Sequence, residues 1–82
     1  MNLQKLALTL TDNGYKSKAV NETCLNINGK EVKIIGHLAV YNGKECAFGS
    51  VQGLMAQLWA AGLIDTKNEA GKIASEYQNL NN

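Results

Sequence analysis

Two stretches decide the fold: Leu25-Asn26-Ile27-Asn28-Gly29-Lys30-Glu31-Val32-Lys33-Ile34, and then Val40-Tyr41-Asn42-Gly43-Lys44-Glu45-Cys46. An Asn-Gly pair between β-prone runs marks a two-residue hairpin turn, because both residues tolerate the positive φ that such turns need. Closing the chain at Asn28-Gly29 sets Leu25 opposite Val32 and Thr23 opposite Ile34. Leu25, Ile27, Val32 and Ile34 then share one face, while Glu22, Asn26, Glu31 and Lys33 share the other. Turn chemistry and apolar pattern agree. The second pair, Asn42-Gly43, predicts a second hairpin, so that three strands form an antiparallel meander over about 17–27, 30–41 and 44–48. Its register stays open. With a regular middle strand, Leu38, Val40 and Ala47 continue the Ile34 face and His37, Ala39, Cys46 and Phe48 lie opposite. A bulge at Gly36 would exchange the two sets.

Helices flank the meander. Leu3, Leu6, Ala7 and Leu10 recur at helical spacing, with Asn2 to cap the start and Asn13-Gly14 to stop the end, giving a helix over about 2–13. Thr9 and Thr11 are poor helix formers, which predicts a fraying last turn. Ser50 caps a second helix that carries Val51, Leu54, Met55, Leu58 and Trp59 on an apolar arc and ends near Gly62. Thr66-Lys67-Asn68-Glu69 reads as a capping box, in which hydroxyl and carboxylate each satisfy a free backbone N–H. Ala70, Ile73, Ala74 and Tyr77 then form the stripe of a third helix that Gly71 weakens, and the tail Asn79-Leu80-Asn81-Asn82 is expected to fray. The fold class is α+β in the order α-β-β-β-α-α, a single domain over 1–82 with the sheet packed against helices.

Composition narrows the function. The 82 residues are 45% hydrophobic and 18% charged, with a net charge of +1, which excludes a disordered tail or a polyelectrolyte. Every basic residue is Lys, and Pro is absent. Cys24 and Cys46 fall on non-neighbouring strands of the meander, beyond the ~7 Å reach of a disulfide. They read as free thiols, as in a reducing cytoplasm. The opening Met1-Asn2-Leu3-Gln4-Lys5 lacks the pattern of a signal peptide. Cys46 to Ile64 carries no charge over nineteen residues, yet Ser50, Gln52, Gln57 and three glycines make it a buried helix rather than a membrane span.

No constellation for catalysis, metal or cofactor emerges. His37 and Cys46 stand near each other across the second hairpin, but no third group orients them as a nucleophilic pair. One His and two separated Cys lack zinc spacing. Asp65 and Glu69 are explained as helix-start residues, and no glycine loop sits between a strand and a helix to cradle phosphate. Lys16, Lys18, Lys30, Lys33 and Lys44 cluster near the sheet, but Glu22, Glu31 and Glu45 alternate with them, a thin electrostatic footprint for nucleic acid.

The side of the second helix formed by Gln52, Gly53, Ala56, Gln57 and Ala60 carries no charge where a surface helix normally shows Lys and Glu. Either another helix covers it, small residues permitting close approach, or it meets a partner or a second copy. In the latter case Gly53, Ala56, Gln57, Trp59, Ala60 and Tyr41 form the contact, with Trp59, Met55 and Tyr41 as anchors.

Size, the Met1-Asn2 opening, Tyr15, Gly29 and the helix–meander–helix order resemble small phage-encoded inhibitors of the anti-CRISPR type. That resemblance implies a non-catalytic protein that blocks a protein partner by surface contact. Helix–three strands–helix is also similar to the double-stranded-RNA-binding fold and to the HicA-type toxins on it, through Asn13-Gly14-Tyr15 and Ala61-Gly62-Leu63. Those RNA-binding domains carry a lysine cluster at the last helix start, where this chain has Gly49-Ser50-Val51-Gln52-Gly53. The toxins place a catalytic histidine on the first strand, and residues 18–27 here hold none. The alternative function is therefore RNA binding without nuclease activity. Leu58 to Ile64 is similar to the end of winged-helix recognition helices, without their basic flank. The leading expectation is a cytoplasmic, non-enzymatic protein-interaction module that acts without cofactors and off the membrane.

Overall fold

The computed structural model describes residues 1–80. Its elements are α1 (Leu3–Asp12), β1 (Ser17–Asn21), β2 (Cys24–Ile27), β3 (Lys30–Ile35), β4 (Leu38–Tyr41), β5 (Lys44–Ala47), α2 (Val51–Ala60) and α3 (Lys67–Leu80). The strands form one antiparallel meander in the order β1-β2-β3-β4-β5. The class is α+β, but the order is α-β-β-β-β-β-α-α. Five strands replace the expected three.

Both Asn-Gly turns form. Asn28 and Gly29 take φ +52° and +83°, Asn42 and Gly43 +52° and +79°, the paired positive values of a type I′ turn. Leu25 pairs with Val32 as the turn chemistry requires, and Leu25, Ile27, Val32 and Ile34 are all buried. The correction lies within the first two expected strands, each of which folds back on itself. Gly36 adopts φ +59° and, with His37, makes a two-residue turn of the II′ kind, so that Ile35 pairs with Leu38 and Ile34 with Ala39. The glycine is a turn rather than a bulge. Ala39, Cys46 and Phe48 therefore join the Ile34 face, and Leu38, Val40 and Ala47 take the outer one. The β1–β2 reversal at Glu22-Thr23 needs no glycine. The Asn21 side-chain oxygen accepts the Thr23 backbone N–H at 2.9 Å, an Asx turn that closes the chain after a shift in register between Ala19 and Asn21.

The helices cover the inner face. Leu3, Leu6, Ala7 and Leu10 of α1, Leu54, Met55 and Leu58 of α2, and Ala70, Ile73, Ala74 and Tyr77 of α3 are buried, each on its expected stripe. They meet Leu25, Ile27, Val32 and Ile34 in one core, where each fully buried large aliphatic contributes about 1.5–3 kcal/mol.

The last turn of α1 is tied down instead of frayed. Thr9 and Thr11 hydroxyls donate back to the Lys5 and Ala7 carbonyls, both at 2.9 Å, and the Asn13 amide donates to the Thr9 carbonyl at 2.8 Å and to Glu76 at 3.0 Å. Asn2 caps the start by accepting the Lys5 N–H at 3.1 Å, and its own N–H donates to the Tyr77 hydroxyl at 2.8 Å.

Half of the capping box of α3 forms. Thr66 Oγ1 accepts the Glu69 N–H at 3.1 Å, but the Glu69 carboxylate accepts instead from the Tyr15 hydroxyl, which itself accepts the Asp65 N–H at 2.9 Å. Tyr15 thus pins the chain after α1 to the start of α3. Burial, together with the neighbouring Glu69 carboxylate, pushes its hydroxyl up to about 12. Leu80 still belongs to α3; of the tail expected to fray, Asn81 and Asn82 lie outside the described residues.

Candidate interaction surface

Helix α2 starts where Ser50 Oγ accepts the Gly53 N–H at 3.1 Å. Its buried side is Leu54, Met55 and Leu58, with Val51 half-buried. Residues 100° apart around the helix place Ala56 and Ala60 opposite that side, and both are exposed, as is Gln57; Gly53 is half-buried. The charge-free side is therefore not covered by α1 or α3. It faces solvent.

Its two flanks differ. Toward α3, Gln52 and Gln78 exchange side-chain hydrogen bonds at 2.9 and 3.2 Å. Trp59, expected on the apolar arc, lies at this margin with 39% of its surface exposed. The Lys67 ammonium stands 5.9 Å from the ring centroid, holding the indole by a cation–π contact. Toward the sheet, Gln57, Leu58, Ala60 and Ala61 face Val32, Ala39, Tyr41, Lys44 and Cys46 across a cleft of about 220 Å³. The walls are mostly apolar, with the Tyr41, Lys44 and Gln57 side chains supplying polar groups.

The structure thus brings Tyr41, Gln57 and Ala60 to one cleft. It sets Gly53 and Ala56 on the same helix side and Trp59 on the far flank. Lys44, Cys46 and Ala61 are cleft residues that the sequence reading does not assign to this contact. Ala61 was legible as the next uncharged position of the helix, but Cys46 depends on the β3–β4 turn, which turns its side chain inward. A second groove of about 630 Å³ runs between Met1–Gln4, the β1–β2 turn and Ile34–Gly36, with a mainly polar lining.

The remaining chemical groups are dispersed. His37 is a turn residue whose ring meets Phe48 edge-on, with centroids 6.0 Å apart, whereas Cys46 pairs with Ala39. Cys24 and Cys46 are both free; they lie on β2 and β5 with side chains on opposite faces of the sheet. Burial pushes the Cys24 thiol up, reinforced by Glu31 beside it. Among the described residues no three His, Cys, Asp or Glu side chains gather where they could hold a metal ion, and no helix is long and apolar enough to cross a membrane. Compared with known proteins, the chain matches no family model, no curated protein and no solved structure.

Proposed function

We propose that this protein is a non-catalytic interaction module that holds a protein partner against the charge-free side of α2, in the manner of a small inhibitor of phage or bacterial type working in the cytoplasm. The exposure of Ala56, Gln57 and Ala60 carries this reading. A ten-residue helix without one ionisable side chain leaves that side in water, and depletion of charge with an aromatic at the margin is the composition of an interface centre. Trp59 is the anchor, a residue type whose truncation at an interface typically costs about 2 kcal/mol or more. Small side chains at 53, 56 and 60 let a partner's backbone or apolar side chains approach the helix closely. The matching surface is apolar and weakly charged, with a donor or acceptor for Gln57.

The test substitutes Ala56→Glu and Ala60→Glu. Both positions are exposed, so circular dichroism and thermal midpoint stay near those of the parent chain, while a partner isolated with the parent is lost. A partner that binds both variants as well as the parent refutes the reading. A partner whose affinity falls steeply with salt refutes it as well, because counterion release marks nucleic acid, the alternative expected from the lysines around the sheet.

A further inference from the structure

The two edges of the sheet are finished differently. At β1 the register shifts between Ala19 and Asn21, and the Thr11 hydroxyl reaches the Ser17 carbonyl at 3.4 Å. Bulges and packed neighbours are common means of blunting an edge against further pairing. At β5 neither occurs. Residues 44–47 pair regularly with 38–41, and among the described residues no element lies along the other side of the strand.

The pairing phase fixes which groups are free there. A two-residue turn makes Tyr41 and Lys44 a hydrogen-bonded pair, and such pairs alternate along an antiparallel ladder. The Phe48 N–H donating to the His37 carbonyl at 2.9 Å confirms the phase four residues on. Lys44, Cys46 and Phe48 therefore spend their backbone groups on β4. Glu45 and Ala47 aim their N–H and C=O groups outward, four groups without a ladder partner.

The geometry points to a second copy of this chain as the occupant of that edge, its β5 running antiparallel to this one about a two-fold axis at Cys46. A symmetric pairing centred on Glu45 would set that carboxylate against its own copy, which is destabilising. One centred on Ala47 runs off the strand. Centred on Cys46, all four outward groups of each copy find partners: Glu45 faces the second copy's Ala47, Ala47 faces its Glu45, and Lys44 faces its Phe48. No like charges oppose. On the helix side of the strand the cleft residues Gln57, Ala60 and Ala61 carry no charge either, so the approach of two copies brings no ionic repulsion from α2. The two Cys46 residues form a non-hydrogen-bonded pair with Cα atoms about 4.5 Å apart, inside the range of about 4.4–6.8 Å that a disulfide spans. A four-residue strand pairs over a small area, which places the association among weak, concentration-dependent ones. This inference is independent of a partner on the outer side of α2.

Sedimentation equilibrium of the reduced full chain from about 10 μM to 1 mM tests it, and dimer must grow with concentration. Ala47 is exposed and faces Glu45 of the second copy twice per dimer. Ala47→Glu therefore weakens the dimer about three- to tenfold and Ala47→Lys strengthens it by a similar factor. Ala47→Pro removes only an outward N–H, tolerable on an edge strand, and abolishes the dimer with circular dichroism unchanged. Oxidised glutathione added at high protein concentration yields a covalent dimer whose peptide map shows the Cys46–Cys46 link. A monomer throughout the range overturns the inference, as does a dimer insensitive to the charge at position 47. A dimer that Ala60→Glu dissolves and Ala47→Pro leaves intact also overturns it, and places the contact on α2.

Discussion

Replacing Tyr15 by Phe removes one oxygen and keeps the buried ring. That oxygen donates to Glu69 at the start of α3 and accepts the N–H of Asp65. A hydrogen bond to an ionised group contributes about 1.5–3 kcal/mol and a neutral one about 0.5–1.5 kcal/mol. Asp65 is exposed and Glu69 only half-buried, so water recovers part of both. The net loss is then about 2 kcal/mol. In a domain of this size each kcal/mol moves the thermal midpoint by about 4–8 °C, so Tyr15→Phe should melt about 8–16 °C lower at neutral pH. Urea titration followed by circular dichroism gives the free energy directly. The pH dependence supplies a second readout. The folded hydroxyl sits at about 12 against 10 in the unfolded chain. A raised acid holds its proton more tightly in the fold, so its stabilisation is fully present below pH 10 and disappears as pH rises toward 12. Allowing for solvent screening near the surface, that limb is worth about 1–2 kcal/mol. The parent should lose it between pH 10 and 12 while the Phe variant does not. A neutral-pH change below about 0.5 kcal/mol, or identical alkaline limbs, would refute the role given to Tyr15.

Glycines offer two further tests of opposite sign. Gly36 holds φ +59° in the β3–β4 turn, so Gly36→Ala should destabilise by about 1–2 kcal/mol in urea titrations despite the open space around it; an unchanged midpoint would contradict the turn. Gly71 lies within α3 at ordinary helical φ with nothing within 4 Å of an added Cβ. Gly71→Ala should therefore stabilise by about 0.5–1 kcal/mol, measured the same way. Ala56→Glu and Ala60→Glu should leave the fold intact and remove a protein partner. Ala47→Pro should release the second copy alone.

Local chemistry determined a good part of this molecule from the chain itself. Asn28-Gly29 and Asn42-Gly43 dictate type I′ turns because positive φ at two successive residues is cheap for that pair and few others. The spacing of Leu3, Leu6, Ala7 and Leu10, and of Ala70, Ile73, Ala74 and Tyr77, specifies buried helical stripes whatever they pack against. The charge-free side of α2 was equally plain, since a missing Lys or Glu can be read directly. The Gly36-His37 and Glu22-Thr23 reversals were not. A lone glycine serves a bulge or a turn, and an Asn that closes an Asx turn looks like any other polar strand residue. A bulge or a turn at Gly36 would each bring Ala39 and Phe48 to the core beside Ile34; the pairing of Ile35 with Leu38 makes it a turn, and together with the Glu22-Thr23 reversal it gives five strands in place of three. Whether the bare side of α2 is covered or wet was likewise undecidable along the chain, because coverage depends on where α1 and α3 come to rest. Tertiary packing left Ala56 and Ala60 in water and put Cys46 on the cleft side of the sheet, since the side on which a strand residue emerges is set by every turn before it.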